Sequence, residues 1–312
     1  MFGAILALTV AFPAAGQKLP FVEKAYMIGA VPRATSNLVV QGRTVDVYRT
    51  GAWATMVDVV EGTNTVQIAV DGTVSNHVFQ VAFKPKPKPP AHAEGGGAAQ
   101  PKSEEKKWTK LEYLPDEPKP HPAGRQPGEL RIVLDPGHGG ADTGAISPHG
   151  LYEKNANLLQ TVALKAELEK RGYKVFMTRE DDRALVLAER PRLTLECDAD
   201  LFVSIHHNAP GANQDAAKAR YTAVYSWNPL GEALSAAIAK RMEESFADEM
   251  PSKGSLHANF AVTRNPQTPS CLVEVDFITS PVGEECIFNN DRRQRVACAV
   301  ADGIEDWARA AP

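Results

Sequence analysis

The hydrophobic rhythm of the chain changes twice. Between Lys18 and Phe83 apolar residues recur at every second position: Val45 and Val47 in "TVDVYRT", Val66, Ile68 and Val70 in "TVQIAV", Phe79, Val81 and Phe83 in "HVFQVAF". Such alternation turns one side of a segment to a core and the other to water, the pattern of half-buried strands. Gln41-Gly42, Glu61-Gly62 and Asp71-Gly72 supply turns between them. Short strands with this punctuation predict a small all-β sandwich-like domain over residues 18–83.

The rhythm then disappears. Residues 84–128, with "KPKPKPPAHAEGGGAAQPKSEEKK" at their start, are rich in Pro, Gly, Lys and Glu, and bury too little apolar surface to offset their ordering entropy. A linker is expected there, with Trp108, Leu111, Tyr113 and Leu114 as an apolar island. From Glu129 onward, short apolar runs ("RIVLD", "YKVFMTR", "DLFVSI", "YTAVYSW", "SCLVEV") alternate with helical patterns at Glu153–Lys170, Leu185–Cys197, Leu230–Phe246 and Arg292–Ala308. Gly172 caps the first, and Pro191 should kink or divide the second. Strand and helix in alternation predict an α/β domain over 129–312, a mostly parallel twisted sheet flanked by helices. Ligands of such sheets sit beyond the carboxyl ends of the strands.

Composition narrows the partners. With net charge −4 and pI near 6.1 there is no basic footprint, so nucleic acid is not an expected partner. The apolar run "GAILALTVAF" followed by "PAAGQ" reads as an export signal over residues 1–17, although the first basic side chain is Lys18. Ten residues are too few to span a bilayer. Cys197, Cys271, Cys286 and Cys298 show no CxxC spacing and are read as free thiols.

The chemistry gathers at strand ends. His138 follows "RIVLD" within "DPGHGGADTGA"; Glu153 opens the first long helix; "DLFVSIHHNA" delivers His206, His207 and Asn208; Glu274 sits among apolar residues in "CLVEVDF". An unpaired carboxylate in such a strand is costly unless it has a task. Two imidazoles and a carboxylate make the ligand set of a catalytic zinc site, and a second carboxylate is the base that metal-assisted hydrolysis needs. Successive strand residues point to opposite faces, so only one of His206 and His207 should reach a metal. Asp135 is a candidate to orient His138, or else a turn or helix-cap residue.

The motifs "DPGHGG", "YEKN", "TREDD", "SIHHN" and "LVEVDF", in this order, make the stretch from Arg131 to Ala308 resemble the zinc-dependent N-acetylmuramoyl-L-alanine amidases. The resemblance implies that His138, Glu153 and His206 bind one zinc ion and that Glu274 is the catalytic acid/base. Its Ser-Ile-His-any-Asn pattern selects His206 over His207. Asn208, Arg179 and Asp276 are candidate substrate contacts, the first two with a structural alternative; Arg190 matches the family in the same ambiguous way. Asp276 stands where the family often has Gly, and a like charge there would raise the pKa of Glu274 or meet a basic substrate group. His149 and His257 lie outside the motifs and are read as loop or surface residues. The segment from Asn37 to Val70 resembles bacterial immunoglobulin-like modules, which leaves a spacer or a wall-binding role open.

The implied activity is hydrolysis of the amide between N-acetylmuramic acid and the L-alanine of the peptidoglycan stem peptide, by an exported, periplasmic or wall-associated enzyme. A zinc peptidase cutting within the stem peptide and a non-catalytic wall-binding protein are the alternatives. No long amphipathic segment is left over between Asn208 and Glu274 to plug the site, so no activator protein is expected.

Overall fold

A computed structural model of the chain describes residues 7–84 and 129–310. The expected linker and its apolar island, within 85–128, lie outside the described residues, as do residues 1–6.

The first described segment is all-β. Its strands are β1 (Thr9–Phe12), β2 (Lys18–Leu19), β3 (Lys24–Ala30), β4 (Leu38–Val40), β5 (Arg43–Thr44), β6 (Ala52–Asp58), β7 (Gly62–Val70) and β8 (Thr73–Val81). They form a three-stranded sheet, β1-β3-β6, and a five-stranded sheet, β2-β8-β7-β4-β5. Met27, Trp53 and Val57 of the first meet Val40, Val66, Ile68 and Phe79 of the second in one core. The predicted alternation is directly visible: along β7, Asn64, Val66 and Ile68 are buried while Thr63, Thr65 and Gln67 are exposed. The module starts earlier than expected. Thr9–Phe12, inside the run read as an export signal, pairs antiparallel with β3. An edge strand and the apolar core of a leader both require consecutive apolar residues, so composition does not separate them.

The second segment builds on six strands: β9 (Arg131–Pro136), β10 (Lys174–Met177), β11 (Leu201–Asn208), β12 (Thr222–Ser226), β13 (Ser252–His257) and β14 (Ser270–Phe277), in the order β10-β9-β11-β14-β12-β13. Every neighbouring pair is parallel except β12 with β14. The helices are α1 (Glu153–Lys170), α2 (Glu189–Glu196), α3 (Pro229–Phe246), α4 (Pro281–Phe288) and α5 (Asn290–Arg309), with a 3-10 turn at Ala261–Thr263. Central strands covered on both faces read as continuous apolar runs. Ile132 and Leu134 pack with Leu164 of α1, Ile238 of α3 and Val300 of α5. Val133 and Phe202 face the other way, toward Leu193 of α2 and Val262.

Three details differ from the expected elements. The second helix begins at Glu189 rather than Leu185, which puts Pro191 in its first turn, where a missing N–H leaves no bond unmade. β13 is a polar, largely exposed edge strand, "SKGSLH", without the apolar signature of its neighbours. α4 separates β14 from α5 where no helix was expected. The four cysteines are free. Among the described residues no helix is long and apolar enough to cross a membrane.

Candidate metal centre

Beyond Pro136 the backbone turns sharply. His138 adopts φ +62, left-handed for a residue with a side chain, which costs about 1–3 kcal/mol unless its surroundings hold it. Two buried arginines do so. Arg179 donates from Nε to the Pro136 carbonyl (2.9 Å) and from Nη2 to that of Gly137 (2.8 Å); Arg190 donates from Nη2 to the His138 carbonyl (2.7 Å). Two glycines leave room for the candidate ligands. A Cβ on Gly137 would lie 2.1 Å from Nε2 of His206, and one on Gly144 would lie 2.7 Å from the His138 ring.

The first turn of α1 aims Glu153 at the same point. Its Oε1 is 3.1 Å from Nε2 of His138 and 3.0 Å from Nδ1 of His206, while Oε2 accepts the Ala145 N–H at 2.9 Å. One donor atom from each of His138, Glu153 and His206 lies within 4.8 Å of the others. The predicted three thus converge from β9, α1 and β11. Burial opposes charge on both His138 and Glu153, yet their mutual attraction prevails. Glu153 is held well below the ordinary carboxylate range, and His138, which also faces Asp142 at 2.9 Å, is raised to about 9.

Glu274 stands beside them because β11 and β14 pair in parallel with His206 opposite Glu274. Its Oε2 is enclosed with no hydrogen-bond partner. Burial pushes the carboxyl up to about 7, with His206 and His138 pulling it down and Glu153 pushing it up. His207 points away, as strand alternation requires. It is 3% exposed, its Nδ1 meets Oδ1 of Asn157 at 2.8 Å, and burial lowers its pKa to about 4. Half-buried Asn208 ends the same strand.

Three expectations need correction. Asp135 does not touch His138. It is fully buried and accepts from Thr178, Arg190 and Ser204, and the partner of His138 is Asp142. Asp276, 1% exposed, accepts from Arg220 (2.6 Å) and Arg292 (3.3 Å) rather than facing substrate. A register shift between His206 and Asn208 on β11 sets two residues of β14, Val275 and Asp276, against one, and the bulge breaks the alternation that would have put Asp276 beside Glu274. Arg179, also 1% exposed, is spent on backbone carbonyls. His149 does lie in a loop, as expected, but it is engaged there: Glu284 and the Thr50 carbonyl flank its ring.

Sequence reasoning also missed Asp142 and Asn157. Each follows a candidate ligand by four residues, and Asn157 donates to Oε1 of Glu153 at 3.2 Å and toward the Gly137 carbonyl at 3.3 Å. On α1 the four-residue spacing alone places Asn157 over Glu153. The donor set, two imidazoles and a carboxylate with an unpartnered carboxyl oxygen nearby, fits zinc.

Residues 132–306, more than half of the chain, match the family described as N-acetylmuramoyl-L-alanine amidase. The amidase AmiC of Neisseria meningitidis serogroup B is 34% identical over 232 residues, 58% of this chain and 55% of that one. The chain spans just over half the length of the first curated relatives it matches. The solved amidase AmiC2 of Nostoc punctiforme superposes with a TM-score of 0.54 at 30% identity, covering 58% of this chain and 97% of that chain. The CwlD amidase of Clostridioides difficile, solved in complex with the GerS lipoprotein, gives 0.51 at 25% identity, over 57% and 98%. Together with the α/β sheet and the strand-end cluster, this match means that the chain belongs to the N-acetylmuramoyl-L-alanine amidase family.

Proposed function

We propose that the chain hydrolyses the amide joining N-acetylmuramic acid to the L-alanine of the peptidoglycan stem peptide, with one zinc ion on His138, Glu153 and His206. The observation that carries this reading is the enclosed, unpartnered Oε2 of Glu274 beside a three-ligand cluster. When bound, zinc polarises the scissile carbonyl and lowers the pKa of water. Glu274 takes the proton of the attacking water and returns one to the leaving amine nitrogen. A carboxyl lifted toward 7 by burial is matched to both tasks near neutral pH, and a cation close by draws it back toward the carboxylate the first task needs. Asp142 accepts the Nδ1–H of His138, which leaves Nε2 to the metal; Asn157 steadies Glu153 from within the helix.

Residues 129–312 form the catalytic domain in this reading. The enzyme acts outside the cytoplasm, where its polymer lies. It needs no separate activator. Between Asn208 and Glu274 the described elements are β12, α3, β13 and the 3-10 turn, and the apolar face of α3 (Leu234, Ile238, Met242, Phe246) is packed in the core rather than free to cover the site.

Metal removal tests the reading. Chelator-treated protein should lose activity on a muramoyl-L-alanyl peptide and regain it with stoichiometric zinc. Full turnover at less than about a tenth of an equivalent of metal would contradict a zinc-dependent step.

A further inference from the structure

The β module is not a free appendage. β3 is apolar on both faces: Ala25 and Met27 join the sandwich core, whereas Tyr26 and Ile28 point outward yet are 5% and 0% exposed. The loop between β11 and β12, which leaves the metal centre at Asn208, covers them. Its Ala216, 1% exposed, packs with Tyr26, Ile28 and Ala54. β1 stops pairing at Phe12 opposite Ile28, and the Tyr26 N–H beyond it donates to the Ala212 carbonyl at 3.0 Å. A loop of the amidase domain thus takes the place that a longer β1 would have held.

A second contact reaches further in. His149 presents Nε2 to the Thr50 carbonyl of the module at 3.1 Å and Nδ1 to the fully buried Glu284 carboxylate at 2.7 Å. Glu284 also accepts the Ser147 hydroxyl and the His149 N–H, and Ser147 Oγ accepts the Leu151 N–H at 2.8 Å. The loop pinned in this way carries Ala145, whose N–H donates to Oε2 of Glu153 and whose carbonyl accepts the Glu153 N–H at 2.8 Å. An ion pair between Arg49 and Glu285 closes the rim. From Thr50 to Glu153, every link is a hydrogen bond or a short stretch of pinned loop.

We propose that the β module is a fixed part of the metal-site frame: it docks on the loop after Asn208 and, through His149, positions the loop that orients Glu153. His149 is a positioning residue here, and the proposal rests on reading Glu153 as a metal ligand.

Hydrogen exchange and zinc affinity of the full chain test the two halves separately. In the wild type, peptides covering 24–30 and 209–219 should be protected. Ala216→Glu, which forces a charge into the joint, should open both while circular dichroism keeps the native secondary structure. Chelator competition should show zinc weakened about 10-fold in Ala216→Glu and in His149→Ala, the size expected when a support of a ligand is lost. His149→Gln, which retains a hydrogen-bonding group, should recover part of that loss. The exchange result does not depend on zinc, so it stands or falls apart from the catalytic reading. Free exchange of 209–219 in the wild type would overturn the docking; unchanged zinc affinity in both variants would overturn the positioning.

Discussion

Burial works against a charged His138, but the Glu153 and Asp142 carboxylates overcome it and keep the ring protonated up to about pH 9 in the metal-free chain. A ligating imidazole must be neutral, so zinc uptake at pH 7 has to displace that proton. Calorimetry in two buffers of different ionisation heat should show about one proton released per zinc from His138, and a fraction more from Glu274 as the cation draws it back toward the carboxylate. Release of none would mean that His138 is already neutral in the metal-free chain. The neighbouring histidines divide the other way. His206→Ala should lose zinc, while His207→Ala, cut from a buried face where Nδ1 meets Asn157, should keep near-stoichiometric metal by elemental analysis. Asp142→Ala should weaken zinc about 10–100-fold and Asp142→Asn much less, because an amide oxygen still accepts from Nδ1. Glu274→Gln should fold and hold zinc yet lose about 10²–10⁴ in rate; more than about a tenth of wild-type turnover would point to another base.

At the scale of elements, the bulge in β14 decides what Asp276 can do. Removing its carboxylate strips a partner from Arg292, 6% exposed, and from Arg220. Breaking a buried pair costs about 3–5 kcal/mol, less here because Arg292 keeps Glu249. Asp276→Asn should therefore lower the melting temperature while leaving KM and the pH profile of turnover in place; a shifted profile would return Asp276 to the active site. The bulge was not legible in the sequence, since it depends on how two strands pair and not on the residues of one. α1 was legible to its ends, because its pattern runs from Glu153 to a Gly172 cap. β13 was not, because an exposed edge strand needs no apolar side. Asp142 and Asn157 were hidden for another reason: they contact the proposed ligands rather than being among them, and their residue types carry no signal of their own.

Across the whole molecule, the reading of an all-β unit followed by an α/β unit follows from the change of hydrophobic period, from two to runs buried on both faces. What period cannot show is how the two units meet. Tyr26 and Ile28 lie in an unbroken apolar run, "AYMIGA", which makes sense only once a second surface covers the outer face of β3. The motifs located the site because each ends or opens an element at the carboxyl edge of the sheet, where topology brings them together. The proposed function stands on the cleavage of one particular bond. Mass spectrometry of the fragments that the zinc-loaded full chain releases from purified sacculi identifies that bond. New free amino termini on L-alanine, with glycan strands that keep their lactyl carboxylates, are expected. New termini within the stem peptide, or none at all, would overturn the proposed function.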